Sequence, residues 1–371
     1  MNHLTNVYSV VPRLPPAIDG VGDYALNLAR QLRKDFNIQT HFIVGNPTWS
    51  GKSEIEGFSV DRVIDSDAEQ LTNLLSGDRP YPVLLHYVGY GYAKRGCPIW
   101  LVDGLQRWKS LYPQRSLTTM FHELYASSNL PWTSTFWLSP LQKNLVARLA
   151  KLSDRCITSM QSYARSLQNL VPTRNLEVSS LPVFSNIGEL DYVSPLLERT
   201  RRLVTFGHKN SRIQIYGDYL TDLQEICESL DIEEIYDVGN PTGLVLSHIG
   251  NIPVIEKGIT ESSEISNILK DSIVGFLKFP PPAHLGKSTI FAAYCSHGLI
   301  PCMVSASTTS IDGLEVDKHY FSTSNTNSRL SLKSAQEIAN NAYNWYGLHN
   351  LSHQAINFVD NLNFSKLKKL Y

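Results

Sequence analysis

Residues 6–44 constrain the fold more tightly than any other stretch of this chain. Val7-Tyr8-Ser9-Val10-Val11 has the β-branched, apolar run of a buried strand, and the prolines between Pro12 and Pro16 stop it. Ala17-Ile18-Asp19-Gly20-Val21-Gly22-Asp23 reads as a loop whose glycines let backbone approach a ligand closely. Beyond it Tyr24, Ala25, Leu28, Ala29 and Leu32 recur at the spacing of one helix face, and Thr40-His41-Phe42-Ile43-Val44 is the next strand. Strand, loop, helix and strand in that order make a βαβ unit, and therefore a parallel sheet. The loop falls at the carboxyl end of the first strand, where open α/β sheets bind ligands. Gly20-Val21-Gly22 runs on as Asp23-Tyr24-Ala25, so it is not a G-x-G-x-x-G dinucleotide fingerprint, and a tight turn explains it equally well.

The same grammar continues. Residues 82–88 form a strand that opens into Gly89-Tyr90-Gly91-Tyr92-Ala93-Lys94-Arg95-Gly96. The aromatic faces and loose backbone of that loop suit a sugar or another flat polar ligand; a plain surface loop is the alternative. A helix at 99–111 follows, then a strand at 117–121 that ends in His122-Glu123. A His and a Glu at the mouth of a sheet are candidate ligand contacts or acid/base groups, although a lone His is more often structural. A strand at 155–159 and a helix marked by Tyr163, Leu167 and Leu170 close this half. Residues 181–187 read as a linker, with a hinge near 185–200. Strands at 203–207, 232–238 and 273–277, with helices at 220–230 and 263–270, begin the pattern again. From Ser331 on the chain is helical by pattern and ends in Lys366, Lys368 and Lys369, read as a solvated helix end.

His284-Leu285-Gly286-Lys287-Ser288-Thr289 is the most informative stretch of the second half. A polar, basic turn leads straight into the apolar helix Ile290-Phe291-Ala292-Ala293-Tyr294-Cys295, and a strand follows His297-Gly298. The first turn of a helix has unpaired N–H groups and a partial positive charge, so Gly, Lys, Ser and Thr there make a seat for an anion. A simple helix cap with a solvated lysine is the competing reading. A P-loop is excluded, because the glycine it needs five positions before Gly286 is Pro281, within Pro280-Pro281-Pro282.

The chain has 371 residues, enough for two domains of about 150–200 residues each. Its formal net charge of -1 gives no reason to expect nucleic acid as the main partner. No run is long enough to span a bilayer, and the first residues lack the pattern of a signal peptide. Five scattered cysteines without a C-x-x-C pair fit a reducing, cytoplasmic setting.

Taken together, these segments resemble GT-B-fold glycosyltransferases of the family-four-like, "group 1" retaining class. Residues 16–29 resemble the opening loop and helix of that class. Phe121-His122-Glu123 is similar to its mid-domain histidine segment. Thr158-Ser159 with Tyr163 and then Leu181-Pro182-Val183 to Asn186-Ile187 resemble the last strand and helix of the first domain and the linker. Phe206-Gly207 with Lys209 and Arg212 resembles the strand after the linker, and residues 286–301 resemble the donor-site loop and helix. The likeness runs in order along nearly the whole chain.

The resemblance implies an α/β protein of GT-B architecture. Two Rossmann-like domains would face a central cleft, with C-terminal helices crossing back to the N-terminal domain. The expected parts are an acceptor domain at 1–187, a linker at 188–200, a nucleotide-sugar domain at 201–345 and a helical tail at 346–371. It implies retaining, metal-independent hexosyl transfer from a nucleotide sugar, as co-substrate and without a cofactor, to a glycan or glycoconjugate acceptor. That setting leaves room for peripheral membrane contact at the inner face of the membrane, and the oligomeric state stays open. Gly20, Val21, Gly22, Gly207, Lys209, Arg212, Gly286, Lys287, Ser288 and Thr289 are expected at the donor. His122, Glu123 and His284 are the catalytic candidates, and Asp19, Tyr90 and Tyr92 are expected at the acceptor. Asp65-Ser66-Asp67 fits a metal-binding D-x-D by letter only and reads as a turn.

One departure stands out. The class usually carries two glutamates eight positions apart around the donor loop and helix. Here the helix reads Phe291-Ala292-Ala293-Tyr294, and the upstream position falls on His284 or Leu285. The contacts to the reacting sugar and to the ribose are therefore in question. Two further readings stay open: an inactive glycan-binding or partner subunit, and a nucleotide-sugar epimerase or phosphorylase on the same architecture.

Overall fold

A computed structural model describes residues 5–77, 80–126, 132, 134–172, 174–278, 284–304, 310–325 and 330–362. The Pro280-Pro281-Pro282 run and the Lys366, Lys368 and Lys369 cluster lie outside the described residues. The chain divides into one unit that runs up to Leu181 and resumes at Leu351, and a second unit, Pro182–Asn350.

The first unit contains β1 (Thr5–Val11), α1 (Gly20–Phe36), β2 (Ile38–Val44), β3 (Glu54–Ile55), β4 (Phe58–Arg62) and α2 (Ala68–Leu75). It continues with β5 (Val83–Tyr87), α3 (Gly89–Tyr92), α4 (Ile99–Leu111), β6 (Leu117–Phe121), α5 (Ser134–Leu152), β7 (Arg155–Thr158), α6 (Gln161–Leu170) and β8 (Val178–Ser180). Its sheet has the order β3-β4-β2-β1-β5-β6-β7-β8, parallel except for the β3–β4 hairpin. Every residue of β5 and β6 is buried, as the continuous apolar runs of a sheet covered on both faces require.

The second unit contains β9 (Thr200–Phe206), α7 (Lys209–Tyr216), α8 (Leu220–Ser229), β10 (Glu234–Val238), β11 (His248–Ile249) and β12 (Ile252–Gly258). It continues with α9 (Ser262–Lys270), β13 (Ser272–Leu277), α10 (Thr289–Ser296), β14 (Ile300–Met303), β15 (Phe321–Ser322) and α11 (Leu332–Gly347). The order is β11-β12-β10-β9-β13-β14-β15, parallel except at β11–β12. α10 lies close against the sheet because Gly275 of β13 has no side chain: a Cβ there would sit 2.3 Å from the Tyr294 ring.

The last described helix, α12 (Leu351–Leu362), belongs to the first unit and packs on α1. Gln31 Nε2 donates to Ser352 Oγ at 3.0 Å, and the Tyr24 and Phe358 rings meet edge-on at 6.4 Å. The C-terminal helical return thus has the form expected from the sequence.

Residues 182–199 are strapped to the second unit. Val183 N–H donates to Gly286 O at 2.8 Å, and Ser185 N–H donates to the Tyr346 hydroxyl at 2.9 Å. The buried Arg199 guanidinium donates to Ser194 O, Ser272 O and His297 O. Asp65 and Ser66 both have a φ of 53° and lead into Asp67, which caps α2. The D-x-D letters are therefore a turn and a helix cap.

Among the described residues no helix is long and apolar enough to cross a membrane.

Candidate functional site

In each sheet the first strand of the unit has neighbours whose connections run in opposite directions. β2 and β5 flank β1 in the first unit, and β10 and β13 flank β9 in the second. Such switch points leave a crevice at the strands' carboxyl ends, the usual ligand position in open α/β sheets.

In the first unit this end carries Asp19. Its carboxylate caps α1, accepting the Val21 and Gly22 N–H groups at 3.0 Å each, and takes an ion pair from Arg13 Nη1 at 3.3 Å. Two expectations change here. Gly20, Val21 and Gly22 form the first turn of α1 and not a loop before it. Gly20 and Gly22 are expected to offer N–H groups to a donor, but the Gly22 N–H, with that of Val21, binds the chain's own Asp19 carboxylate. Gly22 must be glycine because a Cβ would lie 2.2 Å from Arg13 O; the close backbone approach is to the chain itself. Asp23, one turn on, was not singled out from the sequence. Burial first, then the Asp19 charge, raises its carboxyl to about 6.

His122 stands just past β6, half-buried, and its Nε2 lies 3.1 Å from Nδ1 of the fully buried His86 in β5. The ring centroids are 5.4 Å apart with 24° between planes, a near-coplanar arrangement that turns one nitrogen of each ring toward the other, and Tyr24 meets both edge-on. Burial drives His122 down to about 3 and His86 well below the ordinary imidazole value, so both rings are neutral. Glu123 is exposed beside them in sequence.

The glycine-tyrosine segment also differs from expectation, since Gly89–Tyr92 is a helical turn. Tyr92 is core: its ring is buried and its hydroxyl donates to Val10 O at 3.1 Å and His86 O at 2.9 Å. Tyr90 is exposed, and its hydroxyl accepts from Gln142 Nε2 at 3.3 Å.

In the second unit Gly207 follows β9 with a φ of 120°, and a Cβ on it would lie 2.3 Å from Ile290 Cδ1 in the first turn of α10. That contact brings together the turn after β9 and the turn Leu285–Lys287 that leads into α10. Gly239 after β10 joins them: its φ is 133°, and a Cβ would lie 2.7 Å from Gly207 O.

Arg212 is completely buried behind these turns. Its Nε donates to Gly207 O at 3.0 Å, and its other nitrogens bind the Asp237 carboxylate and Asn240 O. Most of the guanidinium fork is thus spent inside the fold, holding turns together. Desolvation lowers its pKa.

Lys209 begins α7 and is exposed, while Lys287 and His284 are half-buried. Gly286 is buried with its carbonyl on Val183 N–H. Ser288 caps α10 by accepting the Phe291 N–H at 3.1 Å, and Thr289 is the first residue of that helix. The turn is therefore both a helix cap and a polar, basic edge, as both readings of the sequence allowed. Among the described residues no three His, Cys, Asp or Glu side chains gather as metal ligands would.

Sequence reasoning missed His86, Asp23, Asp237 and Gly239. His86 alone had a usable signal, since it lies at the carboxyl end of a strand, as His122 does.

No protein-family model matches the chain, and no curated protein matches it by sequence. Solved structures do match in shape. An alpha-glucosyltransferase in complex with UDP-glucose and abasic DNA is 11% identical with a TM-score of 0.59, covering 97% of this chain and 99% of that one. An E. coli trehalose-6-phosphate protein bound with UDP-2-fluoro glucose is 9% identical with a TM-score of 0.60, covering 96% and 99%. A putative UDP-N-acetylglucosamine 2-epimerase from Listeria monocytogenes is 14% identical with a TM-score of 0.59, covering 98% and 97%. The fold is therefore the GT-B fold, which nucleotide-sugar glycosyltransferases and a UDP-N-acetylglucosamine 2-epimerase share.

Proposed function

We propose that this protein is a glycosyltransferase that moves a hexosyl unit from a nucleotide sugar to a glycan or glycoconjugate, with retention and without a metal ion. The observation that carries this reading is the meeting of Gly207 and Ile290, which sets two polar turns and the N-termini of α7 and α10 around one point at the second switch point. Charge grows on the diphosphate as the glycosidic bond breaks. Oriented N–H groups and cations that hold it there lower the barrier. Lys287 and Lys209 would supply positive charge, the Gly286–Thr289 segment would supply polar groups, and Arg212 would hold the turns in register from behind. His122 would contact the donor sugar, with Glu123 and His284 as further catalytic candidates. Asp19 and Tyr90 would face the acceptor, bound by the N-terminal domain at 1–187, while the domain at 201–345 takes the nucleotide. We place the protein in the cytoplasm and assign it no nucleic-acid partner, in keeping with its near-zero charge.

An epimerase remains the second reading, favoured by the Asp23 carboxyl raised to about 6, a value suited to proton transfer near neutral pH.

The test is calorimetric titration with UDP, GDP and ADP in EDTA, followed by turnover assays on sugar conjugates of the nucleotide that binds. Micromolar binding of one nucleotide and transfer from its sugar conjugate are expected. Sugar isomerisation without transfer would select the epimerase. No binding to any of the three would sink both and leave a non-catalytic subunit.

A further inference from the structure

His86 does more than fill the core beneath His122. Its Nδ1 faces His122 Nε2 at 3.1 Å, its ring is fully buried, and its Nε2 has no hydrogen-bond partner among the described residues. Its backbone is pinned, because His86 O accepts from the Tyr92 hydroxyl at 2.9 Å. His122 is only half-buried, and among the described residues its Nδ1 makes no hydrogen bond.

Two neutral imidazoles that face each other through one nitrogen each hold one proton between them. The tautomer of one ring then dictates that of the other. If His122 Nε2 carried the shared proton, His86 would have to carry its own on Nε2, as a buried N–H with no acceptor. If His86 Nδ1 carries it, the stranded atom is a lone pair, and His122 bears its proton on Nδ1. A stranded N–H is the rarer fault among buried backbone groups, since a donor has one proton to place and an acceptor tolerates an unused lone pair, and the same physics holds for these rings.

We propose that His86 is a positioning residue for His122: its Nδ1–H donates to His122 Nε2 and fixes His122 as the Nδ1-protonated tautomer, which presents a hydrogen-bond donor to a ligand hydroxyl oxygen. Burial keeps both rings from taking a second proton, so the tautomer and not the charge is what His86 controls. The identity of the ligand, a sugar, rests on the transferase reading; the tautomer does not.

The experiment is long-range proton–nitrogen NMR of the imidazoles in the 15N-labelled full-length protein without ligand, with His122→Gln to assign the resonances. We expect His122 to show a protonated Nδ1 and a bare Nε2. His86→Leu should return His122 to the averaged pattern of a freely exchanging ring. His86→Asn, whose amide nitrogen can take the place of Nδ1, should restore the fixed pattern. A native His122 protonated at Nε2, or a pattern unmoved by His86→Leu, overturns the proposal. Should the leucine variant fail to fold, the native and asparagine spectra still decide. In a transfer assay His86→Leu should lower kcat about tenfold with KM for the nucleotide sugar nearly unchanged, and asparagine should recover it. Because the spectra need no substrate, absence of transfer would sink the transferase reading and leave the tautomer result standing.

Discussion

Gly207 and Ile290 share a space that admits one side chain: a Cβ added to the glycine would lie 2.3 Å from Ile290 Cδ1. The contact joins the turn after β9 to the first turn of α10, and the glycine's φ of 120° is a conformation that L side chains rarely adopt. Ile290 Cδ1 is the far end of a flexible chain and can swing aside, but the backbone strain cannot be relieved that way.

Gly207→Ala should therefore cost about 2 kcal/mol or more of stability. Urea unfolding at neutral pH measures it. The variant should also bind a nucleoside diphosphate about tenfold more weakly, a loss of about 1.4 kcal/mol. An unchanged unfolding midpoint would mean that the left-handed geometry at Gly207 is not needed.

Arg212 and Asp237 form a buried ion pair, with side-chain exposures of 0% and 3%. Removing one partner strands the other charge away from water. Arg212→Met or Asp237→Leu should each cost about 3–5 kcal/mol, while the two changes combined should cost much less than the sum. Denaturation midpoints of the four proteins close the cycle. Strictly additive losses would show that the pair is not coupled.

Much of this arrangement was legible in the sequence. Strands such as β5 and β13 are apolar runs bounded by breakers, and α1 shows its apolar face at helical spacing. Boundaries failed where tertiary contact overrode local preference. Glycine is a poor helix former, so Gly20 to Gly22 read as a loop, yet Gly22 sits inside α1, whose start is capped by Asp19, at a position where Arg13 O leaves no room for a side chain. Gly89–Tyr92 turns helical although its residues favour other states, held by the Tyr92 hydroxyl on two carbonyls. The pair His86–His122 depends on how two strands align, and the pair Arg212–Asp237 on how α7 packs over β10; the partners are 36 and 25 positions apart, and one sequence does not state either alignment. Arg212 is the instructive case. A basic residue after a strand suggests an anion ligand, but burial opposite Asp237 makes it part of the frame.

Lys287 tests the frame's proposed cargo. A lysine that meets a diphosphate makes a charge-assisted contact of about 1.5–3 kcal/mol. Lys287→Ala should thus weaken nucleoside diphosphate binding about tenfold to a hundredfold in EDTA. It should also flatten the salt dependence of the affinity, since one attractive charge is gone. Titrations at two ionic strengths measure both effects, and an unchanged affinity removes Lys287 from the site.

Asp23 gives the protein a pH signature whose sign can be worked out. Its carboxyl is raised from the ordinary value of 3.8 to about 6 in the folded chain, mainly by burial and then by the Asp19 charge, with Arg30 opposing. The folded state therefore holds this proton more tightly than the unfolded chain does. The resulting stabilisation is full below pH 3.8 and is lost as pH rises through about 6. Asparagine cannot ionise, so Asp23→Asn escapes the cost of the buried charge at neutral pH. The variant should have a higher Tm than the native protein at pH 7.5, and the difference should shrink steadily between pH 6 and pH 4. If the Asp23 carboxyl also works in proton transfer, the same substitution should remove an activity limb near pH 6 and leave the more stable protein the less active one. A Tm difference independent of pH would show that Asp23 is not shifted, and would take away the observation that favours the epimerase.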